Sequence, residues 1–446
     1  MNIVIAGDGE VGFHVAKMLT NEKHNITIVD PQQDLLKMIE SHTDLMTIAG
    51  NSTNPEILLQ AKADKADLVI SVVHEEQTNI LTAIIAKKLG AKKTIARINS
   101  IEFLRKDNLA MLEGMGIDYI VSPEFFAAQE IAGLVQQSAA TEVIDFSNGK
   151  LSLFLLRLDE NATVLEKTLD QVASEHSHLD FRAIAIHRKS KTIIPKGKDK
   201  FQLNDLAYVI TKSEGVHELL QLGGKLNLPI NDIIIIGGGR VGKMTAKMLE
   251  KERRVKLIDI DKERCMRLTD LLDNTLIING DARQLELLED EGIETTDALV
   301  AVTNNSETNI LTCVLAKKYG VRKTIALVEN IDYIDIAQSM GIDAVINKKL
   351  IAAGHIFRFT MQSKVASIKC LSGIDAEVLE FIATKNSAIT KKPIRLLDIP
   401  KGAIIGGIIR DEDAYIAVGD FQIKEGDKVV VFSLPECIQK VDELFN

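Results

Sequence analysis

Residues 233–242 read Ile-Ile-Ile-Ile-Gly-Gly-Gly-Arg-Val-Gly, and this stretch decides the fold. Four consecutive isoleucines are typical of a strand that is buried on both faces of a parallel sheet. The G-x-G-x-x-G pattern that follows, from Gly237 to Gly242, predicts a tight turn and the start of a helix. The free N–H groups and the dipole at a helix start attract an anion such as a phosphate. The stretch therefore predicts a strand–turn–helix unit that binds phosphate.

The same pattern stands near the start of the chain, 230 residues earlier. The apolar residues 2–6 predict a strand, and G-x-G-x-x-G follows it over residues 7–12. The second strand of each copy ends on an acid, Asp30 or Asp259, which at this spacing accepts hydrogen bonds from ribose hydroxyls. Its charge also repels a 2′-phosphate, which favours NAD or an adenine nucleotide over NADP. The expected cofactor-binding positions of the loops are Gly7, Asp8, Gly9, Glu10, Val11 and Gly12, and Gly237, Gly238, Gly239, Arg240, Val241 and Gly242.

The two glycine patterns belong to a long internal repeat. Apolar strands alternate with helical periodicity from residue 2 and again from residue 233, which predicts βαβ crossovers and parallel sheets. A strand-rich segment with one clear helix, predicted near residues 164–173, follows the first copy and recurs at the end of the chain. The fold class is therefore α/β, with two Rossmann-like parallel-sheet domains that are each followed by a small α+β module. The expected domain boundaries are 1–138, 139–226, 227–363 and 364–446.

Composition and charge limit the classes of function. The chain is 46% hydrophobic and 26% charged, and its net charge of −10 disfavours binding to nucleic acid or directly to anionic lipid. No apolar run approaches the roughly 20 residues that span a bilayer, and the N-terminus lacks the basic region of a signal peptide. We therefore expect a cytoplasmic protein. The four cysteines form no CxxC pattern and are expected to be isolated thiols. They are Cys265, Cys313, Cys370 and Cys437.

Four further motifs, taken in order, resemble those of a known family. Gly-Asn-Ser or Gly-Asp-Ala follows each third strand, Gln-Thr-Asn or Glu-Thr-Asn opens each fourth helix, and Thr-Ile-Ala-Arg forms the fifth strand. Gly-Asp-x-Val-x-Val closes the second small module. Together with the glycine loops and the acids, this order resembles the RCK domain family (regulator of K⁺ conductance, also called KTN). The doubled form resembles the TrkA family of peripheral subunits of Trk-type potassium uptake systems, over essentially the whole chain.

The resemblance implies an assembly at a membrane. RCK domains pair and form rings below a pore, and nucleotide binding in their clefts changes the ring and gates ion flow. A chain with two RCK domains would form an eight-domain ring as a homotetramer. It would be peripheral on the inner face of the cell membrane, and its partner would be a TrkH- or TrkG-like potassium-translocating subunit.

The resemblance also implies further binding positions. Arg97 matches the fifth-strand arginine of the family, whereas the second copy has Leu327 at this position. Asn51 and Asp281 are expected near the adenine or ribose. The ends of the fourth strands are expected to line the clefts with Val73, His74, Thr303 and Asn304.

The two copies differ in charge at the fourth position of the glycine loop, which is Glu10 in the first and Arg240 in the second. In family members with arginine there, the side chain reaches toward the phosphates. A guanidinium suits a polyphosphate, and a carboxylate repels one. We therefore expect NAD(H) in the first site and ATP/ADP or NAD(H) in the second.

Simpler interpretations stay open beside these. The glycine loops are alternatively structural turns that have lost their ligand. Asp30 and Asp259 are alternatively solvated turn residues, and Arg240 is alternatively the partner of a neighbouring acid. His176-x-His178 has no cysteine or carboxylate at useful spacing and is expected to be a surface loop, without a metal. The alternative function is an NAD-dependent oxidoreductase. No His–Asp pair, Tyr-x-x-x-Lys or catalytic cysteine is recognisable, so we expect no catalytic residues and no enzyme activity.

Overall fold

The computed structural model describes residues 1–446 except 8, 21–23, 35, 38–44, 137–141, 148, 189–190, 225–228, 362–364 and 372–375. Asp8 of the first glycine loop therefore lies outside the described residues, and so does the side chain of Glu10. The chain forms two compact units. Unit 1 contains Met1–Phe126 and Lys348–Met361, and unit 2 contains Ala127–Asn347 and Gln362–Asn446. Within the described residues, no helix combines the length and the apolar character needed to cross a membrane.

Unit 1 is built around a six-stranded parallel sheet with the strand order β3-β2-β1-β4-β5-β6. The strand order reverses between β1 and β4, so the loops after these strands open a crevice at the carboxyl edge of the sheet. We call this crevice, between residues 7–12 and 73–74, the first cleft. The strands are β1 Asn2–Ala6, β2 Asn25–Asp30, β3 Met46–Ala49, β4 Leu68–Ser71, β5 Lys93–Arg97 and β6 Tyr119–Val121. The helices are α1 Glu10–Thr20, α2 Pro55–Gln60, α3 Glu76–Leu89, α4 Lys106–Gly114 and the start of α5 Pro123–Gln136.

A helix from the second half of the sequence completes unit 1. This helix, α13 Lys348–Phe357, packs against α1. Its His355 stacks on Phe126 with ring centroids 3.7 Å apart, and Phe359 lies 3.9 Å from the ring of Tyr119. The contacts thus assign Lys348–Met361 to the N-terminal sheet, whereas the four domain boundaries given above remain a prediction.

Unit 2 contains the second Rossmann-like sheet, whose strand order β14-β13-β12-β15-β16-β17 repeats the first. Its crevice, between residues 237–242 and 303–304, is called the second cleft. The strands are β12 Asp232–Ile236, β13 Arg254–Asp259, β14 Thr275–Asn279, β15 Ala298–Ala301, β16 Lys323–Leu327 and β17 Ala344–Ile346. The helices are α8 Arg240–Leu249, α9 Lys262–Thr269, α10 Leu285–Asp290, α11 Ser306–Lys318 and α12 Tyr333–Ser339.

Two peptides occur in both halves of the chain, Lys-Thr-Ile-Ala at 93–96 and 323–326 and Met-Gly-Ile-Asp at 115–118 and 340–343. In unit 1, Lys87 Nζ lies 2.8 Å from a carboxylate oxygen of Asp118, which also accepts the backbone N–H of Thr94 at 2.7 Å. In unit 2, Lys317 and Asp343 form the same ion pair at 2.6 Å. The Lys-Thr-Ile-Ala and Met-Gly-Ile-Asp repeats therefore hold the fifth and sixth strands together.

The two small modules, both in unit 2, are five-stranded antiparallel sheets. The predicted helix at 164–173 begins only at Leu169, because Thr168 and Gln171 form a capping box there. The first module contains β7 Glu142–Phe146, β8 Leu151–Arg157, β9 Phe181–Arg188, β10 Lys191–Ile193, β11 Leu206–Lys212, α6 Leu169–Glu175 and α7 Val216–Leu222. The second contains β18 Val365–Cys370, β19 Glu377–Ile382, β20 Ala403–Arg410, β21 Asp413–Ile416, β22 Lys428–Ser433 and α14 Ile438–Phe445. Single 3-10 turns lie at Ala63–Lys65, Ile101–Leu104, Ser213–Gly215, Ile293–Thr295, Arg358–Thr360, Ala388–Thr390, Ile394–Leu396 and Pro435–Cys437.

The two modules share one hydrophobic core. Phe146 and Tyr208 of the first module and Phe432 of the second are fully buried in the same cluster. Strand β20 approaches the first module so closely that a Cβ at Gly407 would meet the Leu151 side chain at 2.6 Å. The α/β fold with two Rossmann-like sheets, each followed by a small α+β module, is confirmed.

Each module contains an ion pair with a buried carboxylate, Arg188–Asp205 in the first and Arg410–Asp427 in the second. Removal of the second pair gives a first prediction. Asp427 is 1% exposed, accepts two N–H groups of Arg410 at 2.8 and 2.7 Å and accepts the Lys424 N–H. We expect Asp427→Ala to lower the free energy of unfolding by about 2 kcal/mol, because it leaves a partly buried guanidinium unpaired. Urea unfolding of the full chain measures this. The control is Asp420→Ala, which removes only the exposed pair with Arg395 and should change stability by less than about 0.5 kcal/mol.

Candidate functional site

The first glycine of each loop lies where two loops meet. Gly7 has φ +106° and Gly237 has φ +104°, a left-handed conformation that glycine adopts without strain. A Cβ at Gly7 would lie 2.8 Å from the backbone nitrogen of Val73, and one at Gly237 would lie 2.9 Å from that of Thr303. Glycine at this position therefore allows the loops after the first and fourth strands to meet at the base of each cleft.

The other two glycines of the pattern have different surroundings. A Cβ at Gly12 would lie 1.9 Å from the carbonyl oxygen of Gly7, and Gly242 has the same relation to Gly237. A Cβ at Gly239 would meet no atom within 4 Å. The third glycine thus packs the helix against the turn, and the middle one borders open space at the helix N-terminus. This arrangement fits the phosphates of a nucleotide.

The fourth strands end at the clefts as the sequence indicates. Val73 and Thr303 are half-buried, and His74 and Asn304, the next residues, are exposed. The Thr303 N–H and hydroxyl both donate to the amide oxygen of Asn309, at 3.0 and 2.6 Å. The loop at the end of β15 is therefore held by an asparagine side chain of α11, the helix that follows it.

The sequence reasoning missed this role of the repeated asparagines. Asn79 and Asn309 were seen only as parts of the Gln-Thr-Asn and Glu-Thr-Asn motifs. Asn309 is 1% exposed and donates to the carbonyl oxygens of Thr303 and Leu327 at 3.0 and 2.8 Å. Asn79 makes the matching bonds to Val73 and Arg97. The signal in the sequence was the recurrence of this asparagine in the same helix of both halves. An asparagine that is buried inside a helix needs such hydrogen-bond partners.

Both acids at the second-strand tips are buried. Asp30 is 6% exposed and accepts the Gln32 N–H at 2.8 Å. Asp259 is 5% exposed and forms an ion pair with Arg264 at 2.9 Å. Arg264 was not among the predicted positions, since it lies in the helix after the acid rather than in the glycine loop.

The positions after the third strands also differ between the clefts. Asn51 accepts the N–H and the hydroxyl of Thr53 at 2.9 and 2.8 Å. Asp281 instead pairs with Arg283 at 2.7 Å, and the hydrogen bonds from Arg283 lower the pKa of its carboxyl. In the second cleft, both predicted acids therefore have guanidinium partners within their own domain.

Arg97, at the end of β5, forms an ion pair and a hydrogen bond with neighbouring side chains. Its Nη2 lies 3.1 Å from Oε1 of Glu124, and both side chains are largely buried, at 15% and 6% exposed. Its Nε donates to Asn99 at 3.3 Å. These contacts give Arg97 a structural role in unit 1, and the position in the second cleft is the buried Leu327.

Comparison with protein families decides the relationship of the chain. The model of the TrkA-N domain matches residues 3–123 and 233–348, and that of the TrkA-C domain matches residues 153–222 and 378–446. The chain belongs to the TrkA family. Trk system potassium uptake protein TrkA of Halomonas elongata is 30% identical over 451 residues, covering 100% of this chain and 99% of the relative. TrkA homolog 2 of Methanosarcina mazei is 31% identical over 455 residues and covers 100% of both chains.

A solved structure agrees with the fold of this TrkA-family chain. The GsuK channel bound to NAD aligns with a TM-score of 0.62 at 16% identity, over 100% of this chain and 78% of the channel. At that identity the likeness shows the shared fold alone.

The two clefts of the TrkA-family chain differ in charge. In sequence, the first glycine loop contains the acids Asp8 and Glu10, and Asp30 ends the second strand. The second has Gly238 at the position of Asp8, and Arg240 is exposed at the first position of α8. Arg264 lies beside Asp259. The loop and the strand tip of the second cleft therefore carry two guanidinium groups, of Arg240 and Arg264, and one carboxylate, of Asp259.

Outside the clefts, the structure changes one expectation for this TrkA-family chain. Glu218, far from His176-x-His178 in sequence, brings a carboxylate to both histidines: its Oε1 lies 3.3 Å from His176 Nδ1 and 2.9 Å from His178 Nε2. The missing carboxylate is thus supplied by α7. Among the described residues, however, no group of three or more His, Cys, Asp or Glu side chains could hold a metal ion.

Burial disfavours a reactive thiolate at two of the described cysteines. Cys265 and Cys313 are buried free thiols, and burial raises the pKa of both. Cys437 is a partly buried free thiol, and the side chain of Cys370 lies outside the described residues. A thiolate nucleophile needs the opposite shift of its pKa.

Proposed function

We propose that this chain is the cytosolic regulatory subunit of a Trk-type potassium transporter or channel. Two lines support the proposal: full-length similarity to Trk potassium uptake proteins, and two glycine-loop clefts at topological switch points. The observation that carries the regulatory part is the difference in charge between the two clefts, because a regulator with two distinct sites can respond to two ligands.

The assignment of ligands follows from that charge. The first cleft, rich in carboxylates, suits NAD(H), whose two phosphates are bound by the backbone N–H groups of the glycine loop. The second cleft adds Arg240 at the start of α8, where a guanidinium stabilises a terminal polyphosphate. We therefore assign NAD(H) to the first cleft and ATP or ADP, with NAD(H) as a competitor, to the second. Asn51, Val73 and His74 border the first cleft, and Asp281, Thr303 and Asn304 border the second.

The partner is a TrkH- or TrkG-like potassium-translocating subunit at the inner face of the cell membrane. Four chains form an eight-domain ring beneath it. A nucleotide gates ion flow only if it binds one ring conformation more tightly than another. A coupling free energy of about 1–3 kcal/mol changes the open fraction by several-fold to about a hundredfold.

The alternative function is an NAD-dependent oxidoreductase. Such an enzyme needs a substrate domain that brings an acid or base to the nicotinamide. In unit 2, the two small modules instead bury their sheets against each other. The absorbance of NADH bound to the full chain separates the two functions: a regulator leaves it constant with any electron acceptor, and an oxidoreductase consumes it.

Potassium flux tests the proposal directly. The membrane subunit is reconstituted in vesicles with this chain, and K⁺ flux is measured with NADH, NAD, ATP or ADP. We expect at least one pair of nucleotides to give different fluxes, and only when the chain is present. Equal flux under all four nucleotides would contradict gating.

The assignment of ATP to the second cleft gives a second prediction. We expect ATP to bind once per chain, and Arg240→Glu to weaken that binding at least about thirtyfold, since it replaces an attraction by a repulsion. Isothermal calorimetry on the full chain measures this. The control is Lys243→Glu, which makes the same change of charge one turn further along α8 and should have a much smaller effect. Two equivalent ATP sites, both insensitive to Arg240→Glu, would contradict the assignment.

A further inference from the structure

The acid of the second cleft already has a full set of hydrogen-bond donors from its own chain. Oδ2 of Asp259 accepts the Gly238 N–H at 2.6 Å, and Oδ1 accepts the Asp261 N–H at 2.8 Å. Arg264 Nη1 lies 3.1 Å from Oδ1 and 2.9 Å from Oδ2. A carboxylate has about four acceptor positions, so these contacts use all of them.

This arrangement conflicts with the usual role of the acid at this strand tip. In a dinucleotide fold, that carboxylate accepts hydrogen bonds from the ribose hydroxyls. Asp259 can do so only if Arg264 gives up its contacts. The two backbone donors are fixed by the fold. The Arg264 side chain is 39% exposed and can move into solvent, whereas the Asp259 side chain is only 3% exposed. The guanidinium is therefore the donor that a ribose has to displace.

The first half of the chain has a different residue type at the position of Arg264. Arg264 stands five residues after Asp259, and the residue five positions after Asp30 is Leu35. A leucine side chain donates no hydrogen bond. The two halves of the chain therefore differ in sequence at this position, with an arginine in the second half and a leucine in the first.

We propose that Arg264 determines the specificity of the second cleft by competing with the ribose 2′-hydroxyl for Asp259. The cleft then recognises a nucleotide through its phosphates and distinguishes poorly between ribose and 2′-deoxyribose. The inference rests on the proposed binding of ATP in this cleft and adds which part of the nucleotide is recognised.

The test compares ATP with 2′-deoxy-ATP by calorimetry on the full chain. Binding that Arg240→Glu removes is assigned to the second cleft. We expect the two affinities to agree within about threefold in the native chain. In Arg264→Leu, which copies the first half, we expect ATP to bind about tenfold or more tightly than 2′-deoxy-ATP, because Asp259 regains an acceptor position and one charge-assisted hydrogen bond forms.

Two further variants keep the result interpretable. Arg267→Leu removes a guanidinium from the same helix, but its partner is the exposed Glu263, so the affinity ratio should stay near that of the native chain. Arg264→Lys retains the charge but cannot span both oxygens of Asp259, so it should raise the ratio even if Arg264→Leu folds poorly. A native ratio above about ten, or a ratio near one in both Arg264 variants, would overturn this inference alone. Absence of ATP binding in the native chain would overturn the proposed function as well.

Discussion

Replacing Gly242 with alanine is expected to abolish nucleotide binding in the second cleft and to destabilise the domain. The new Cβ would lie 1.9 Å from the carbonyl oxygen of Gly237, a distance at which no carbon and oxygen can remain. The neighbouring atoms are backbone, so the glycine loop itself has to move away from α8. Because the loop N–H groups then no longer converge on a phosphate, we expect a loss of affinity for ATP of at least about a hundredfold. The cost in unfolding free energy is expected to be about 3 kcal/mol.

A matched variant separates the packing of the loop from its binding. Gly239 has φ −63°, which alanine adopts without strain, and a Cβ there would meet no atom within 4 Å. Gly239→Ala should therefore leave the unfolding free energy within about 0.5 kcal/mol of the native value. It should still weaken ATP binding at least about tenfold, since the methyl group occupies the space beside the helix N-terminus where the phosphates are expected. Native affinity in Gly239→Ala would show that ATP does not bind over this loop.

The sequence was sufficient for the parts of the molecule that depend on local patterns. A short apolar run and a glycine turn specify a buried strand and a helix start, and this combination occurs twice, 230 residues apart. The pattern therefore predicted both parallel sheets and the positions of Asp30 and Asp259 at the ends of the second strands. Local patterns succeed here because strand, turn and helix signals lie within a few residues of the groups that they position.

Local sequence patterns could not predict the contacts between segments that are distant in the sequence. Nothing in the periodicity of α13 indicates that it packs on α1 of the N-terminal sheet, since an amphipathic helix does not encode its partner. The shared core of the two modules was missed for the same reason: their strands alternate as they would in a free sheet. Arg264 was missed because a basic residue in a first helical turn usually indicates only a solvated face. Its partner Asp259 becomes visible only when the helix direction is known.

The repeated asparagines give the second of the large effects. Asn309→Ala is expected to lower the free energy of unfolding by about 3 to 4 kcal/mol. The native side chain makes four hydrogen bonds, three to Thr303 and one to the carbonyl oxygen of Leu327. Removal leaves buried backbone groups without partners, and each such group costs about 1–3 kcal/mol. Urea unfolding of the full chain measures the loss.

The location of the damage distinguishes this explanation from general destabilisation. Hydrogen exchange should accelerate first at the Thr303 amide and in the loop after β15, because Asn309 ties that loop to α11 and β16. The control is Asn304→Ala, at an exposed position of the same loop, which should change stability by less than about 0.5 kcal/mol. A native exchange rate at Thr303 in Asn309→Ala would show that the loop is held by other contacts. Since this loop meets Gly237 at the base of the second cleft, the same variant is also expected to weaken ATP binding while leaving the first cleft unchanged.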